Sequence, residues 1–472
     1  MNYAKLIQKS QIDNYSKKSN RLPGYNGKYS MHKYWSKKPA DLIRDLILQY
    51  TKKGEIVLDP FSGSGVTIAE SLFTNRKTIG IDLNPAAIRI TKQLIEKTQI
   101  EKTEKTFSEL EKKCEEKINS IYRVRHNGKT ITGLYFLWDA NKLKKIHYRN
   151  GKVKHSIIKA KRSDQKLAKS FSYKKIRYFY PTSKLIPNSR INVEKNLRAC
   201  DLFTPRNTYA LAFLLHQINK IKNPRTREFF RFCFSAVLGQ TSKMVFVIKR
   251  RGKMNSFYKQ NKSAQIGSWI IGYWRPKEFF EANVWHSFKL KYKKILKAKK
   301  LQMKQVYEIK PAKKFSQMKK CNLLLVNQSS LKVLPKLPSN SIDYIILDPP
   351  HTDRIPYLEL SKMWNDWLKQ KPNYNDELKM KHNYSAIEFK KYLKLLSKII
   401  NEIERVLKPR RHISFIFNNS NEKSWGPIIN LFDELKLQLI KKSKMNYSLN
   451  SVVQTNRVGG LKLDYVLTYK KK

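Results

Sequence analysis

Cysteine is scarce and scattered. The chain has only Cys114, Cys200, Cys233 and Cys321, and no two form a Cys-x-x-Cys pair. That spacing argues against a zinc ribbon, leaves no metal site to expect, and makes buried reduced thiols the expectation. Long apolar runs are also missing, since no stretch approaches the roughly 20 apolar residues that span a bilayer. The opening Met1-Asn-Tyr-Ala-Lys-Leu-Ile lacks the apolar core of a signal peptide. A soluble, cytoplasmic chain with no membrane partner is expected. Acids are few: 36 Asp and Glu face 97 Lys and Arg, a formal charge of +61. Such a surplus repels itself unless a polyanion binds, and nucleic acid is the obvious partner. The competing explanation is compositional. A chain rich in Lys, Asn and Ile with only 16 glycines can reflect an AT-rich genome or a hot habitat.

What is present is enough apolar material for a core, with 40% hydrophobic residues over 472 positions. Two or three domains are the expectation for that length. From Lys53 to about Ile95 the pattern alternates strand, glycine-containing turn, helix, strand, helix. Glu55 to Pro60 and Thr78 to Asp82 read as strands, Val66 to Phe73 as a helix, and Asn84-Pro85 opens another. The rhythm returns at Cys321, with strands at Leu323–Val326, Ile342–Leu347, His412–Phe417 and Asp464–Tyr469. Helices are read at Phe389–Leu407 and Pro427–Leu435. Together these describe an α/β chain with one doubly wound, seven-stranded sheet, interrupted after its second α/β unit.

The interruption, about 99–320, is expected to be mostly helical, with helices at Asn207–Lys222 and Thr226–Leu238. Its most basic stretch, Asn141 to Tyr178, holds 14 Lys or Arg and one acid, Asp164. Tyr148, Phe171, Tyr173, Tyr178, Phe179 and Tyr180 lie within or beside it. Cations with rings form a nucleic-acid composition. The same residues also suit a solvated basic loop with its rings tucked into a local core.

Two motifs carry chemistry. Asp59-Pro60-Phe61-Ser62-Gly63-Ser64-Gly65 follows the first strand, where glycines let backbone approach a ligand and the next helix presents free N–H groups. Asp82 ends the second strand, where a carboxylate can accept hydrogen bonds from both hydroxyls of a ribose. Asp348-Pro349-Pro350-His351 follows a buried strand. Its prolines stiffen the backbone and leave carbonyls outward. Asp348 and the Pro349 carbonyl can each accept one hydrogen of a ring amino group, which draws that nitrogen toward a nucleophilic shape for direct attack on a methyl group. His351 would stack on an extruded base.

Here the chain resembles the DNA amino-methyltransferases that make N6-methyladenine or N4-methylcytosine. Asp59–Gly65 looks like their cofactor motif and Asp348–His351 like their catalytic motif. His32-Lys-Tyr-Trp-Ser-Lys-Lys-Pro39 is similar to their upstream segment at the methionine end of the cofactor, which brings in Tyr34, Lys38 and Pro39. Arg405-Val-Leu-Lys-Pro409 and the closing Asp464–Tyr469 also match. Within the insert, Leu202-Phe-Thr-Pro-Arg-Asn207 and Gly267-Ser-Trp269 look like a subgroup described as adenine-specific. Three positions depart from the pattern. His351 stands where Tyr or Phe is commoner, Asn327 where an acid is often found near adenine, and Arg410-Arg411 where a glycine pair is expected.

The resemblance implies a class I methyltransferase fold in three stretches. Residues 1–98 and 321–472 would form the core, and 99–320 the basic insert that recognises the target. It implies S-adenosylmethionine over Asp59–Gly65, its ribose on Asp82, with Asn327 close to its adenine. It further implies duplex DNA with a flipped base and adenine N6 as acceptor, and leaves open a partner restriction nuclease in a restriction-modification pair. The alternatives are N4-cytosine methylation, RNA base methylation, and a non-catalytic nucleic-acid-binding protein on a methyltransferase scaffold.

Overall fold

The computed structural model describes residues 13–14, 27–150, 154–248, 265–350, 355–378, 385–417, 425–445 and 464–472. The chain divides into two compact units. The first comprises Met1–Glu96, Met303–Leu358 and Lys371–Lys472, the second Lys97–Gln302 and Glu359–Gln370.

The first unit is built on one mixed sheet. Its strands, in chain order, are β1 (Asp13–Asn14), β2 (Ile56–Asp59), β3 (Lys77–Ile81), β4 (Pro311–Ala312), β5 (Leu323–Val326), β6 (Ile342–Leu347), β7 (Leu407–Phe417), β8 (Leu437–Met445) and β9 (Asp464–Lys471). Their order in space is β1-β8-β9-β7-β6-β2-β3-β5-β4. The pairings from β7 through β4 are parallel, and β9 runs antiparallel to both its neighbours. Nine strands stand where seven were expected, because two-residue pairings extend each edge: Asp13 and Asn14 against β8, Pro311 and Ala312 against β5.

Alternation along each strand sends neighbouring side chains to opposite faces, and both faces are covered. On one, Leu58, Ile345, Ile413 and Phe415 pack with Leu396, Ile399, Ile400 and Ile403 of the helix Ala386–Val406. On the other, Val57, Tyr344 and Ile346 meet Leu42, Ile43, Leu46 and Ile47 of the helix Ala40–Tyr50. Chain order reverses between β2 and β6. In open α/β sheets that is where a crevice forms outside the carboxyl ends of the strands.

The second unit corrects the expectation of a mostly helical insert. Helices Ile100–Ser120, Pro205–Asn219 and Pro224–Val237 are present. Beside them stands an antiparallel sheet ordered Glu278–Ala282, Lys129–Asp139, Lys142–Asn150, Lys154–Lys159, with Arg123–His126 also paired to Lys129–Asp139. Two of these strands, Lys142–Asn150 and Lys154–Lys159, come from the basic stretch itself. Leu143, Ile146 and Tyr148 are buried while Lys142, Lys145 and Arg149 are exposed. Basic and apolar residues are interleaved along these strands, and the buried apolar ones hold the sheet. The basic stretch also packs most of its rings. The Tyr173 hydroxyl donates to the Phe203 carbonyl at 2.9 Å, Tyr178 packs on Phe213 and His216, and Phe171 on Tyr209. Phe179 remains exposed.

The insert motifs are structural. Thr204 caps the helix Pro205–Asn219, and Arg206 forms a buried pair with Glu281. Asn207 accepts from the Tyr122 hydroxyl at 2.6 Å and donates to the Thr241 and Ala282 carbonyls. Trp269 donates its indole N–H to the Gly272 carbonyl at 2.6 Å and fills the space beside Gly239. Cys114, Cys200 and Cys233 are buried free thiols and Cys321 is half-buried. No group of His, Cys, Asp or Glu among the described residues could hold a metal ion.

Candidate active site

β2, β3, β5 and β6 all deliver their carboxyl ends to one edge of the sheet, so the residues that follow them converge. An open cleft of about 1120 Å³, mouth included, lies there in the first unit. Of the positions singled out from sequence, it is lined by Tyr34, Lys38, Asp59, Pro60, Phe61, Ser62, Gly63, Ser64, Asp82, Asp348, Pro349 and Pro350. Pro39, Gly65 and Asn327 do not line it, and His351 lies outside the described residues.

The turn after β2 is locked from within. The Asp59 carboxylate accepts from the Phe61 amide at 3.0 Å, and the Ser62 amide donates to the Ile81 carbonyl at 2.9 Å. Gly63 and Gly65 both have positive φ, 48° and 79°, which costs a side chain and not a glycine. A Cβ on Gly65 would press within 2.6 Å of Thr91 Cγ2, so this glycine is required by the helix Pro85–Ile95 behind it as well. Gly65 therefore shapes the turn without facing the cleft.

Asp82 is held by two amides. Gly63 donates to its Oδ2 at 2.7 Å and Asn84 to its Oδ1 at 2.8 Å. Each oxygen keeps a lone-pair direction for a further donor. Burial pushes the Asp82 carboxyl up to about 6, against those two amide bonds. Burial likewise pushes Asp59 up to about 7, outweighing its bonds from Thr67 and Phe61, with the nearby Asp348 and Asp82 adding to the rise. Asn84 caps its helix through Ala86, as the Asn-Pro pair predicts. Asn327 donates to the Asp82 and Leu83 carbonyls at 2.9 and 3.1 Å, so its amide braces the end of β3 from outside the cleft.

The segment before the first helix closes another side. A 3-10 turn, Gly27–Ser30, is pinned by the buried carboxylate of Glu70, which accepts from the Tyr29 hydroxyl and, at 2.7 Å, from Arg44 Nε. Lys37 turns inward to the Tyr29 and His32 carbonyls. Tyr34 stacks on Tyr357 with ring centroids 5.7 Å apart. Lys38 reaches Asp348, Nζ to Oδ1 3.2 Å, with both side chains largely shielded. The Tyr392 hydroxyl holds the Pro350 carbonyl at 3.1 Å and so fixes the double-proline turn.

Sequence reasoning missed three contributors: Tyr357, the Lys38–Asp348 contact, and the segment Asp376–Leu378, which lines the cleft beside Ser329 and Ser330. Only Tyr357 carried a local signal, standing shortly after the double proline at the start of an apolar helical run. The other two depend on the tertiary fold.

Residues 4–93 match the family model described as DNA methylase of the N6/N4 type. A Type II methyltransferase of Moraxella bovis, M2.MboI, is 33% identical over 89 residues, 19% of this chain and 33% of that protein. The DNA adenine methyltransferase YhdJ of Escherichia coli is 39% identical over 66 residues, 13% of this chain and 22% of that one. Type II methyltransferase M.MjaII of Methanocaldococcus jannaschii is 28% identical over 88 residues, 19% of this chain and 17% of that protein. The chain thus spans a third or less of the length of each of these relatives. An antibiotic-related methyltransferase of known structure is 13% identical with a TM-score of 0.16, covering 32% of this chain and 60% of that one. A superposition at that level carries no weight beside the strand order itself. Residues 4–93, with the motif they contain, thus resemble the DNA methylases of the N6/N4 type.

Proposed function

We propose that this chain is an S-adenosylmethionine-dependent methyltransferase acting on the exocyclic amino group of a base in DNA, with adenine N6 as the favoured acceptor. One observation carries the reading. Asp59–Ser64 and Asp348–Pro350, remote in sequence, lie at the ends of adjacent parallel strands and line a single cleft. The seven longer strands, with β9 antiparallel among parallel neighbours, support the class I methyltransferase arrangement.

The residues present fit the cofactor. The positive-φ turn at Gly63 lets backbone come close to a ligand, and the doubly held Asp82 carboxylate suits a ribose. Tyr34 and Lys38 would flank the methionine end. When bound, the cofactor supplies an electrophilic methyl group. The chain does the rest by positioning. Asp348 and the Pro349 carbonyl accept the two amino hydrogens, so the nitrogen lone pair turns toward the methyl group. The proton shed after transfer leaves through Asp348 to water. Lys38 holds Asp348 Oδ1 until the amino group arrives and competes for that oxygen. His351 keeps its proposed role as the stacking partner of a flipped base, since an amino group within the duplex is out of reach.

The DNA would lie against the insert, whose cations Lys142, Lys145, Arg149, Lys166 and Lys169 are exposed. No helix among the described residues is long and apolar enough to cross a membrane. Duplex DNA incubated with the protein and labelled S-adenosylmethionine, then digested to nucleosides and resolved by mass, tests the reading. N6-methyl-2′-deoxyadenosine is the expected product. N4-methylcytosine would overturn the choice of base, and unmodified DNA the reading as a whole.

A further inference from the structure

The position after β5 is occupied by Asn327, and its amide braces the Asp82–Leu83 backbone outside the cleft. The end of the cleft formed by the residues after β5 would therefore lack an acid if the strand ends alone built it. A different segment supplies one.

Tyr374–Asp376 forms a 3-10 turn capped by Asn373. The turn is fastened to the residues following β5. Asp376 pairs with Lys332 and accepts from Asn373 Nδ2 at 2.8 Å, and its carbonyl lies 3.5 Å from the Ser329 hydroxyl. Leu378, just beyond, is buried in the core with Leu324 and Val333. Asp376, Glu377 and Leu378 all line the cleft, as do Ser329, Ser330 and Leu331. Asp376 is engaged by Lys332 and Leu378 belongs to the core, which leaves Glu377 as the carboxylate of this segment not tied to Lys332. Glu377 Oε2 is shielded from solvent.

We infer that Glu377 is a cofactor-binding residue that accepts a hydrogen bond from the exocyclic amino group of the cofactor's adenine, taking the part of the acid absent after β5. The assignment rests on the S-adenosylmethionine reading above. Its chemistry follows from position. Asp82 already serves the ribose, and Asp348 stands at the methyl-transfer end, so the carboxylate beside Ser329–Leu331 meets the base end. A carboxylate accepts and cannot donate, so it recognises an amino group and repels a ring oxygen at the same place.

The test uses the full chain and two ligands, S-adenosylhomocysteine and its 6-oxo counterpart S-inosylhomocysteine, titrated by calorimetry. The wild type is expected to prefer the adenosyl ligand by at least about tenfold. Glu377→Ala is expected to weaken the adenosyl ligand roughly ten- to hundredfold, the scale of one hydrogen bond to a charged group, and to leave the inosyl ligand no weaker. Glu377→Gln, close in shape and still an acceptor, is expected to fall between them and guards against a folding defect in the alanine variant. Wild-type affinity in both variants, or equal losses for both ligands, would overturn the assignment. A wild type that binds neither ligand would bring down the cofactor reading itself, and the assignment with it.

Discussion

Arg206 and Glu281 make the most consequential buried contact of the second unit. The guanidinium meets the carboxylate twice, Nη2 to Oε2 at 2.6 Å and Nε to Oε1 at 3.1 Å, and each side chain is 1% exposed. Trp138 and Thr204 also donate to Glu281, and Arg206 lies 4.1 Å from the centre of the Phe136 ring. Burial raises the Glu281 carboxyl, but Arg206 and these hydrogen bonds hold it below its ordinary value. Arg206→Met leaves a buried carboxylate without its cation, which costs about 3–5 kcal/mol. For a unit of this size that is a fall in Tm of roughly 6–20 °C. The sign of the pH dependence follows. In the wild type the depressed pKa contributes stability above the unfolded value of about 4.3, lost as pH falls through the folded value. In Arg206→Met, burial raises the pKa instead, so the deficit should shrink between about pH 8 and pH 5 as Glu281 takes up a proton. Arg206→Met combined with Glu281→Leu should regain most of the loss, because well-packed apolar replacements of buried pairs are near neutral. Thermal melts of the three variants across that range decide the matter. A single-variant deficit below about 1 kcal/mol, or one that does not change with pH, would refute the reasoning.

Further outcomes concern the first unit. Asp82 is raised to about 6 by burial, and in its proposed role it would accept ribose hydroxyls best when ionised. Affinity for S-adenosylhomocysteine should therefore rise as pH passes upward through about 6, and Asp82→Asn should flatten that profile; titrations at pH 5, 6 and 7 check both. Because Asp59 and Asp82 both have raised folded values, the ligand-free protein should gain stability as pH falls from about 7 toward 4, read as a rising Tm. Arg410 is exposed and carries φ 63°, a left-handed backbone at a position where the resemblance expects glycine. Arg410→Gly should stabilise by roughly 0.5–1 kcal/mol, measured by denaturant midpoint at unchanged slope.

The first-unit strands were legible because each is a short buried run followed by a turn or an acid: Ile56–Asp59 before the glycine turn, Lys77–Ile81 before Asp82, and Ile342–Leu347 before Asp348. Burial on both faces leaves such strands no polar alternation to obscure them. Two strands of the insert's antiparallel sheet fall in the basic stretch Asn141–Tyr178, where interleaved cations mask the apolar residues that form them. A local signal for the sheet existed. Asn127-Gly128, both at positive φ, forms the turn between Arg123–His126 and Lys129–Asp139, and Asn-Gly between such runs is a strong hairpin marker. Lys38 beside Asp348, and Glu377 in the cleft, had no sequence signal, because their positions come from packing between distant segments. The insert motif around Arg206 was visible as a string, but the string alone could not show that it builds a core and not a contact surface.

The turns at Asp59–Gly65 and Asp348–Pro350 are proposed to build one methyl-transferring site. Single-turnover methyl transfer to duplex DNA by the wild type and by Asp348→Ala, with S-adenosylhomocysteine affinity measured on the same samples, tests it most directly. Transfer by the wild type is expected, with a loss of roughly 10²–10³-fold or more in the variant and cofactor affinity little changed. Transfer by Asp348→Ala at the wild-type rate would contradict it, as would a wild type that binds the cofactor product and DNA yet moves no methyl group.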